Sequence, residues 1–303
     1  MRRPTVGAAL RSFPLAAPQV PAGMEVPAAK ARMGAAYDSS WARHQPARYA
    51  RFFIIEGPMR AAVAALASPT RVGLDRLAGV HGPVIFAANH HSHLDAPLLL
   101  TSIPQPFRHR MVVAAAADYF FGNQLTATLS SLAMGAFPIE RSRVSRDSAD
   151  QAAELVSAGW SLLIFPEGGR SPDGWGQGHR GGAAFLSVRT GAPVVPVHVT
   201  GTDRIYPRGA KELRPGSSTV TFGRPLRPAD DDGDARRFAS TIEAAVAELA
   251  DEDATDWWSA RRRAASGTTP SLTGPGTTGW RRTWALGDRR GRRRKAPRSW
   301  PHL

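Results

Sequence analysis

The chain has 303 residues, 42% hydrophobic and 21% charged, which is enough to bury one large α/β core without disulfides or structural metals. The absence of cysteine excludes a disulfide framework, a Cys-ligated zinc and a cysteine nucleophile. Lys and Arg number 39 against 25 acids, a net charge of +14, so the partner is expected to be anionic: nucleic acid, a lipid surface or a phosphorylated substrate.

That charge sits at the ends. Residues 261–303 hold twelve basic residues and one acid, whereas 61–260 hold eighteen basic and twenty-one acidic residues and are nearly neutral. A nucleic-acid-binding core should carry its own basic face, so no specific nucleic-acid partner is expected.

In chain order, residues 1–36 are rich in Ala and Pro without a sustained period, and the segment 1–45 is assigned as disordered. A signal peptide fits poorly, because Arg11 interrupts the short apolar stretch behind Arg2-Arg3. The stretch 49–67 mixes Tyr49, Phe52, Phe53 and aliphatic residues with Arg. It reads either as an interfacial amphipathic segment or as a helix packed on the core. No apolar run reaches the ~18–20 residues a membrane-spanning helix needs.

From residue 83 the signals alternate. Strands are predicted at 83–88, 111–114, 161–165, 194–199 and 218–222. Helices are predicted at 94–100, 124–132, 147–158 and 182–189, with another on the spacing of Phe238, Ile242, Ala245, Val246 and Leu249. This alternation predicts an α/β fold: a single domain over 46–258 with a mostly parallel central sheet flanked by helices. Residues 259–303, dominated by Gly, Thr, Pro and Arg from Ser266 onward, are assigned as a disordered Arg-rich tail.

Four stretches carry chemistry. Asn89-His90-His91-Ser92-His93-Leu94-Asp95 follows a buried strand. Ser92 and Asp95 form an acidic variant of the capping box, placing a helix start near Ser92 with His90 just outside it. A carboxylate there can hold one tautomer of His90 and stabilise its imidazolium, which a general base needs. Two other readings compete: a helix cap with incidental histidines, and a metal-dependent hydrolase. The latter rests on His91-x-His93-x-Asp95, which is similar to the metallo-β-lactamase signature. Ala96 stands where that signature has a further His.

The second stretch is Gly135-Ala-Phe-Pro-Ile-Glu-Arg141, in which Pro138 fixes an extended segment and Arg141 suits bidentate phosphate or carboxylate binding. The third is Phe165-Pro-Glu-Gly-Gly-Arg170-Ser171, whose glycines let the backbone approach a ligand and whose Glu167 can orient Arg170. Pro-x-Gly-Gly is also ordinary turn chemistry. The fourth is Gly191-Ala-Pro-Val-Val-Pro-Val197. Its two prolines imply an edge-like strand or one that lines an opening, such as an acyl-chain groove.

In this order and spacing the four stretches resemble motifs I to IV of the glycerolipid acyltransferases, the family typified by 1-acyl-sn-glycerol-3-phosphate acyltransferase. The resemblance covers roughly 75–250, and Thr221-Phe-Gly-Arg-Pro-Leu226 is similar to the family's closing strand. Gly169 stands where the family usually has Thr, so the loop lacks a hydroxyl. The resemblance implies that His90 takes the proton from the acceptor's hydroxyl as it attacks an acyl thioester, and that Asp95 orients His90. It implies that Arg141, Glu167, Gly168, Arg170 and Ser171 hold the acceptor's phosphate.

Neither a metal nor a cofactor is expected, with acyl-CoA or acyl-carrier protein as co-substrate. The implied product is an acylated lysophosphatidate or related lysolipid, made by a peripheral enzyme at the cytoplasmic face of a membrane. The basic tail is expected to bind an anionic lipid surface and to be separable from catalysis. A protein that binds nucleic acid or a surface through that tail is the non-enzymatic alternative.

Overall fold

The computed structural model describes residues 34–140, 146–231, 233–276 and 279–292. Its centre is a sheet of seven strands: β1 (Pro69–Val72), β2 (Ile85–Ala88), β3 (Met111–Ala116), β4 (Ala136–Ile139), β5 (Ser161–Ile164), β6 (Val194–Thr200) and β7 (Ser218–Phe222). Their spatial order is β1-β7-β6-β2-β5-β3-β4, and every neighbouring pair is parallel except β6 and β7. The longer helices are α1 (Gln45–Ile54), α2 (Arg60–Ala67), α3 (Asp95–Ser102), α4 (Gln124–Met134), α5 (Arg146–Ser157), α6 (Gly182–Thr190), α7 (Ala235–Ala254), α8 (Trp257–Ala265) and α9 (Gly279–Arg292). The expected α/β class, with a mostly parallel sheet between helices, is the one observed.

Strands covered on both faces need apolar side chains throughout, and β2 is buried at every position. Alternation still sorts the side chains. Phe86, Val113, Leu163 and Val195 join Leu98 and Leu99 of α3 on one face. Ile85, Val112, Leu162 and Val194 join residues of α5, α6 and α7 on the other. Each large side chain so buried contributes roughly 1.5–3 kcal/mol.

Three expectations are corrected. First, of the two readings of β6, the edge strand is excluded, since β6 lies between β7 and β2, while His198, Val199 and Thr200 at its end line a small cavity. Pro196 is tolerated because the ladder slips beside it. Val197 pairs with Phe222, Val194 exchanges both hydrogen bonds with Leu226, and the Pro196 carbonyl accepts from Gly223 N between them. The partner side therefore carries one extra residue, and at such a bulge the missing N–H of proline costs no ladder bond.

Second, 34–45 is ordered as a turn and a 3-10 helix (Ser40–Arg43), with Ala42 buried and Tyr37 packed on Phe121. Residues 1–33 lie outside the described residues.

Third, the segment assigned as a disordered tail holds two helices. α8 is capped by Asp256, whose carboxylate accepts from Ser259 N at 2.9 Å, and it packs on α7 through buried Ala260. α9 buries Leu286 and exposes Trp280 and Trp284. A stripe one residue wide per turn is too weak a pattern to stand out among glycines and arginines. Residues 293–303 lie outside the described residues.

At the amino end, α1 and α2 are joined by a π-helical turn (Ile55–Met59) at Pro58, which cannot donate to a helix ladder. Ala47, Arg51, Ile55, Val63 and Ala67 face inward, while Tyr49 and Phe53 are exposed. One face therefore packs on the core as the second sequence reading had it, and the aromatic residues stay outside.

Candidate active site

β2 and β5 are neighbours in register from Ile85↔Leu162 to Ala87↔Ile164. The segments leaving their carboxyl ends, 89–94 and 165–171, therefore run side by side, and this is where open α/β sheets bind ligands. Asn89 anchors the first segment with a pair of hydrogen bonds to Val199 of β6, donating to its carbonyl at 2.8 Å and accepting from its N–H at 2.6 Å.

α3 begins at Asp95, not at Ser92. The reciprocal half of the capping box is nonetheless made: Ser92 N donates to Asp95 Oδ2 at 2.8 Å. The same oxygen accepts from His91 N at 2.7 Å and lies 2.9 Å from His90 Nδ1. Asp95 is fully buried in the first turn of α3, where the helix dipole favours negative charge. Burial pushes its carboxyl up, but the His90 ring and the Ser92 N–H outweigh burial and hold it below the usual carboxylate range. With a carboxylate on Nδ1, the neutral imidazole places its proton there and leaves Nε2 as the basic nitrogen. The ring stacks on Phe165 at 4.1 Å between centroids, which fixes its plane.

Glu167 is buried and braces the two segments. Its Oε1 accepts from His90 N at 2.9 Å and its Oε2 from Gln177 N at 2.9 Å. Burial pushes its carboxyl up to about 7 against the pull of these two donors. From its usual 4.5 to about 7, the unfolded chain has lost this proton and the folded chain keeps it. Glu167 therefore makes stability fall as pH rises through that window, with no further loss above it. In Glu167→Gln, thermal unfolding between pH 5 and 7.5 should lack this downward component relative to the wild type, whatever the absolute stability. Parallel curves for the two proteins would refute the assignment.

The rest of the loop is shaped around two side chains. Gly168 has φ +73°, and a Cβ there would come within 2.8 Å of the Arg180 guanidinium, so only glycine allows this approach. Gln177 Nε2 donates to the carbonyls of Gly169 and Arg170 at 3.2 and 3.3 Å. The loop is thus tied by an amide from residue 177 and needs no hydroxyl at 169.

Ser171 was expected to bind substrate. Instead it is buried, its N–H donates to His90 O at 2.9 Å, and its Oγ accepts from Gly174 N at 2.7 Å, so it closes a turn. Arg141 lies outside the described residues.

His90, Glu167, Gly168 and Arg170 come together on a cleft of about 630 Å³. Its lining includes Arg170, Arg180 and Arg208, with Arg180 over Gly168, and the apolar Val113, Ala114, Ala115, Phe120 and Met134. Gln177 and Arg208 were missed by sequence reasoning. Arg208 sits in a loop after a single helical turn (Thr202–Ile205), and nothing in its local pattern distinguishes it from a solvated arginine.

The metal reading fails on geometry. His93 stacks on Tyr119 at 4.9 Å in this cleft, whereas His91 lines a separate, smaller cavity with His198. Among the described residues, no group of three or more His, Asp or Glu is placed to hold a metal ion.

The chain is also similar in sequence and fold to known proteins. A family model described as Acyltransferase matches residues 69–200, which include both loop segments. Over these residues the chain is similar to acyltransferases. The chain is 32% identical over 157 residues to the chloroplastic 1-acyl-sn-glycerol-3-phosphate acyltransferase BAT2 of Brassica napus, covering 51% of this chain and 44% of that protein. It is 29% identical over 141 residues to the human 1-acyl-sn-glycerol-3-phosphate acyltransferase beta, covering 46% and 49% respectively. The chain thus spans about half or less of the length of these relatives. The fold is that of the 1-acyl-sn-glycerophosphate acyltransferase PlsC from Thermotoga maritima, with a TM-score of 0.54 at 23% identity over 70% of this chain and 85% of that one.

Proposed function

We propose that this chain transfers a fatty acyl group from an acyl thioester to the free hydroxyl of lysophosphatidate or a related lysolipid. The observation that carries this reading is the buried Asp95 carboxylate on His90 Nδ1, at a cleft lined by three arginines and by apolar side chains. His90 Nε2 takes the proton from the acceptor hydroxyl as its oxygen attacks the thioester carbonyl. Asp95 stabilises the imidazolium. Collapse of the tetrahedral intermediate breaks the carbon–sulfur bond, and the proton on Nε2 goes to the departing thiolate. Arg170, Arg180 and Arg208 suit the acceptor's phosphate, and the apolar side chains suit an acyl chain. Either acyl-CoA or acyl-carrier protein supplies the thioester this chemistry needs. The test is to incubate the protein with labelled acyl-CoA or acyl-carrier protein and a panel of lysolipids. Labelled phosphatidate from lysophosphatidate is the expected product. No transfer to any lysolipid from either donor would overturn the reading.

The same reading puts the enzyme on a membrane surface, peripherally and at the cytoplasmic face where such thioesters are found. No described helix is long and apolar enough to cross a membrane. Trp257, Trp258, Trp280 and Trp284 are exposed on α8 and α9, and arginines lie over the Trp257 and Trp280 rings. Aromatic and cationic side chains together suit an anionic headgroup layer. Replacing both Trp280 and Trp284 by Ser should weaken sedimentation with anionic vesicles in low salt. Equal sedimentation of variant and wild type would remove α9 from the membrane contact.

A further inference from the structure

The loop 171–178 is held from outside by a part of the chain beyond the family match. Trp175 is buried, and its indole N–H donates to Arg282 O of α9 at 3.1 Å. The backbone of 272–274 covers the ring so closely that a Cβ on Gly274 would land within it. Gly176 N donates to Leu272 O at 3.0 Å, and the Arg282 guanidinium meets the Asp173 carboxylate at 2.9 Å. Leu272 is in turn buried with Val246, Ala247 and Ala250 of α7. The strap is therefore fastened to the body at one end and to the loop at the other.

The next residue of that loop is Gln177, whose N–H holds Glu167 Oε2 while Glu167 Oε1 holds His90 N. Gln177 also holds the Arg170 carbonyl through its side chain. A continuous run of contacts thus leads from α9 to His90 and to Arg170.

We infer that residues 272–276 and 279–286 form a positioning strap for the active site, acting through Trp175, so that the carboxyl-terminal segment belongs to the catalytic apparatus. This rests on the acyltransfer reading for its activity readout. It also reverses the expectation that the tail can be removed without loss of turnover.

Gly274→Ala tests it from the strap side, without altering any group that lines the cleft. The added methyl cannot coexist with the seated Trp175 ring, so the strap must lift. Trp175→Ala does the same from the loop side, and Trp175→Phe keeps the ring while losing the bond to Arg282. Turnover on detergent-dispersed lysolipid should fall roughly 10- to 100-fold in Gly274→Ala and Trp175→Ala, the usual cost of ångström-scale misplacement. The Km for the acyl donor should stay near the wild-type value, and Trp175→Phe should recover most of the loss.

Amide exchange over 167–178 and at His90, which needs no substrate, should quicken in the first two variants while exchange in β2 and β6 stays slow. Wild-type turnover with a displaced strap would overturn the inference, as would activity lost only in proportion to unfolded protein. Unchanged exchange over 167–178 would overturn it whatever the activity. If the wild type transfers no acyl group, the acyltransfer reading alone falls and the exchange result still decides the strap.

Discussion

Replacing His90 with Ala should lower turnover by roughly 10²–10⁴-fold, the usual worth of a positioned general base. The substitution takes a partner from the buried Asp95 carboxylate and a stacking face from Phe165, but it leaves the backbone at 90 held. The His90 backbone is held by its own N–H to Glu167 Oε1 and by its carbonyl from Ser171 N, and neither bond involves the ring. His90 also precedes α3 and lies outside the hydrophobic core clusters, so the substitution should leave the unfolding midpoint within a few degrees of wild type. Asp95→Asn is the companion test and a less clean one. The buried carboxylate accepts from two backbone N–H groups and faces His90 on a single oxygen, so an amide placed with its nitrogen there would meet three donors. The new side chain can avoid that by presenting its amide oxygen, but a neutral oxygen stabilises the imidazolium less. Loss of turnover in a folded Asp95→Asn protein, without a matching rise in the Km of either substrate, is the expected result. Near-normal turnover in folded His90→Ala would end the general-base mechanism. A larger loss in His91→Ala than in His90→Ala would reopen the metal reading.

Much of the candidate site was legible because it lies in short segments directly after strands. The apolar run before Asn89 and the run before Phe165 announced β2 and β5, and the His90–Asp95 spacing announced the dyad. What periodicity cannot encode is strand order. Nothing local says that β5 threads back between β2 and β3, yet that placement brings Glu167 onto His90 N across 77 residues. Pro196 misled for a related reason. A proline reads as an edge because it lacks a donor, and only the slip between Phe222 and Leu226 shows where the donor is not needed. Ser171 misled because its type fits a phosphate site, while its burial and its bond to Gly174 N are properties of the folded turn. The carboxyl-terminal helices were hidden by composition. Gly, Thr and Pro between 266 and 278 are what a linker looks like, and here Gly274 gives the close backbone approach that Trp175 needs.

The second large effect concerns the acceptor. Arg170→Ala should raise the Km for a phosphorylated acceptor by roughly 10- to 150-fold, the range set by the ~1.5–3 kcal/mol of a charge-assisted hydrogen bond. The Km for the acyl donor should change far less. Arg170 is half-buried in the cleft, whereas Arg180 and Arg208 are exposed, so screening by solvent should put their effects at or below the bottom of that range. Arg180 carries a second consequence, because its guanidinium fills the space over Gly168. Arg180→Ala leaves that glycine free to move, so it should lower turnover as well as raise the acceptor Km. Arg208→Ala should affect the Km only. Lys at 170 should rescue in part, since it restores the charge without the planar fork that matches a phosphate. Raising the salt concentration should weaken acceptor binding in the wild type more than in Arg170→Ala, because the variant has already lost one of the charges that salt screens. The measurement is a set of acceptor titrations at fixed acyl donor, at two ionic strengths, for lysophosphatidate and for a lysolipid lacking the phosphate. Equal Km values in wild type and all three alanine variants would move the phosphate away from these arginines and leave the cleft without an assigned acceptor end.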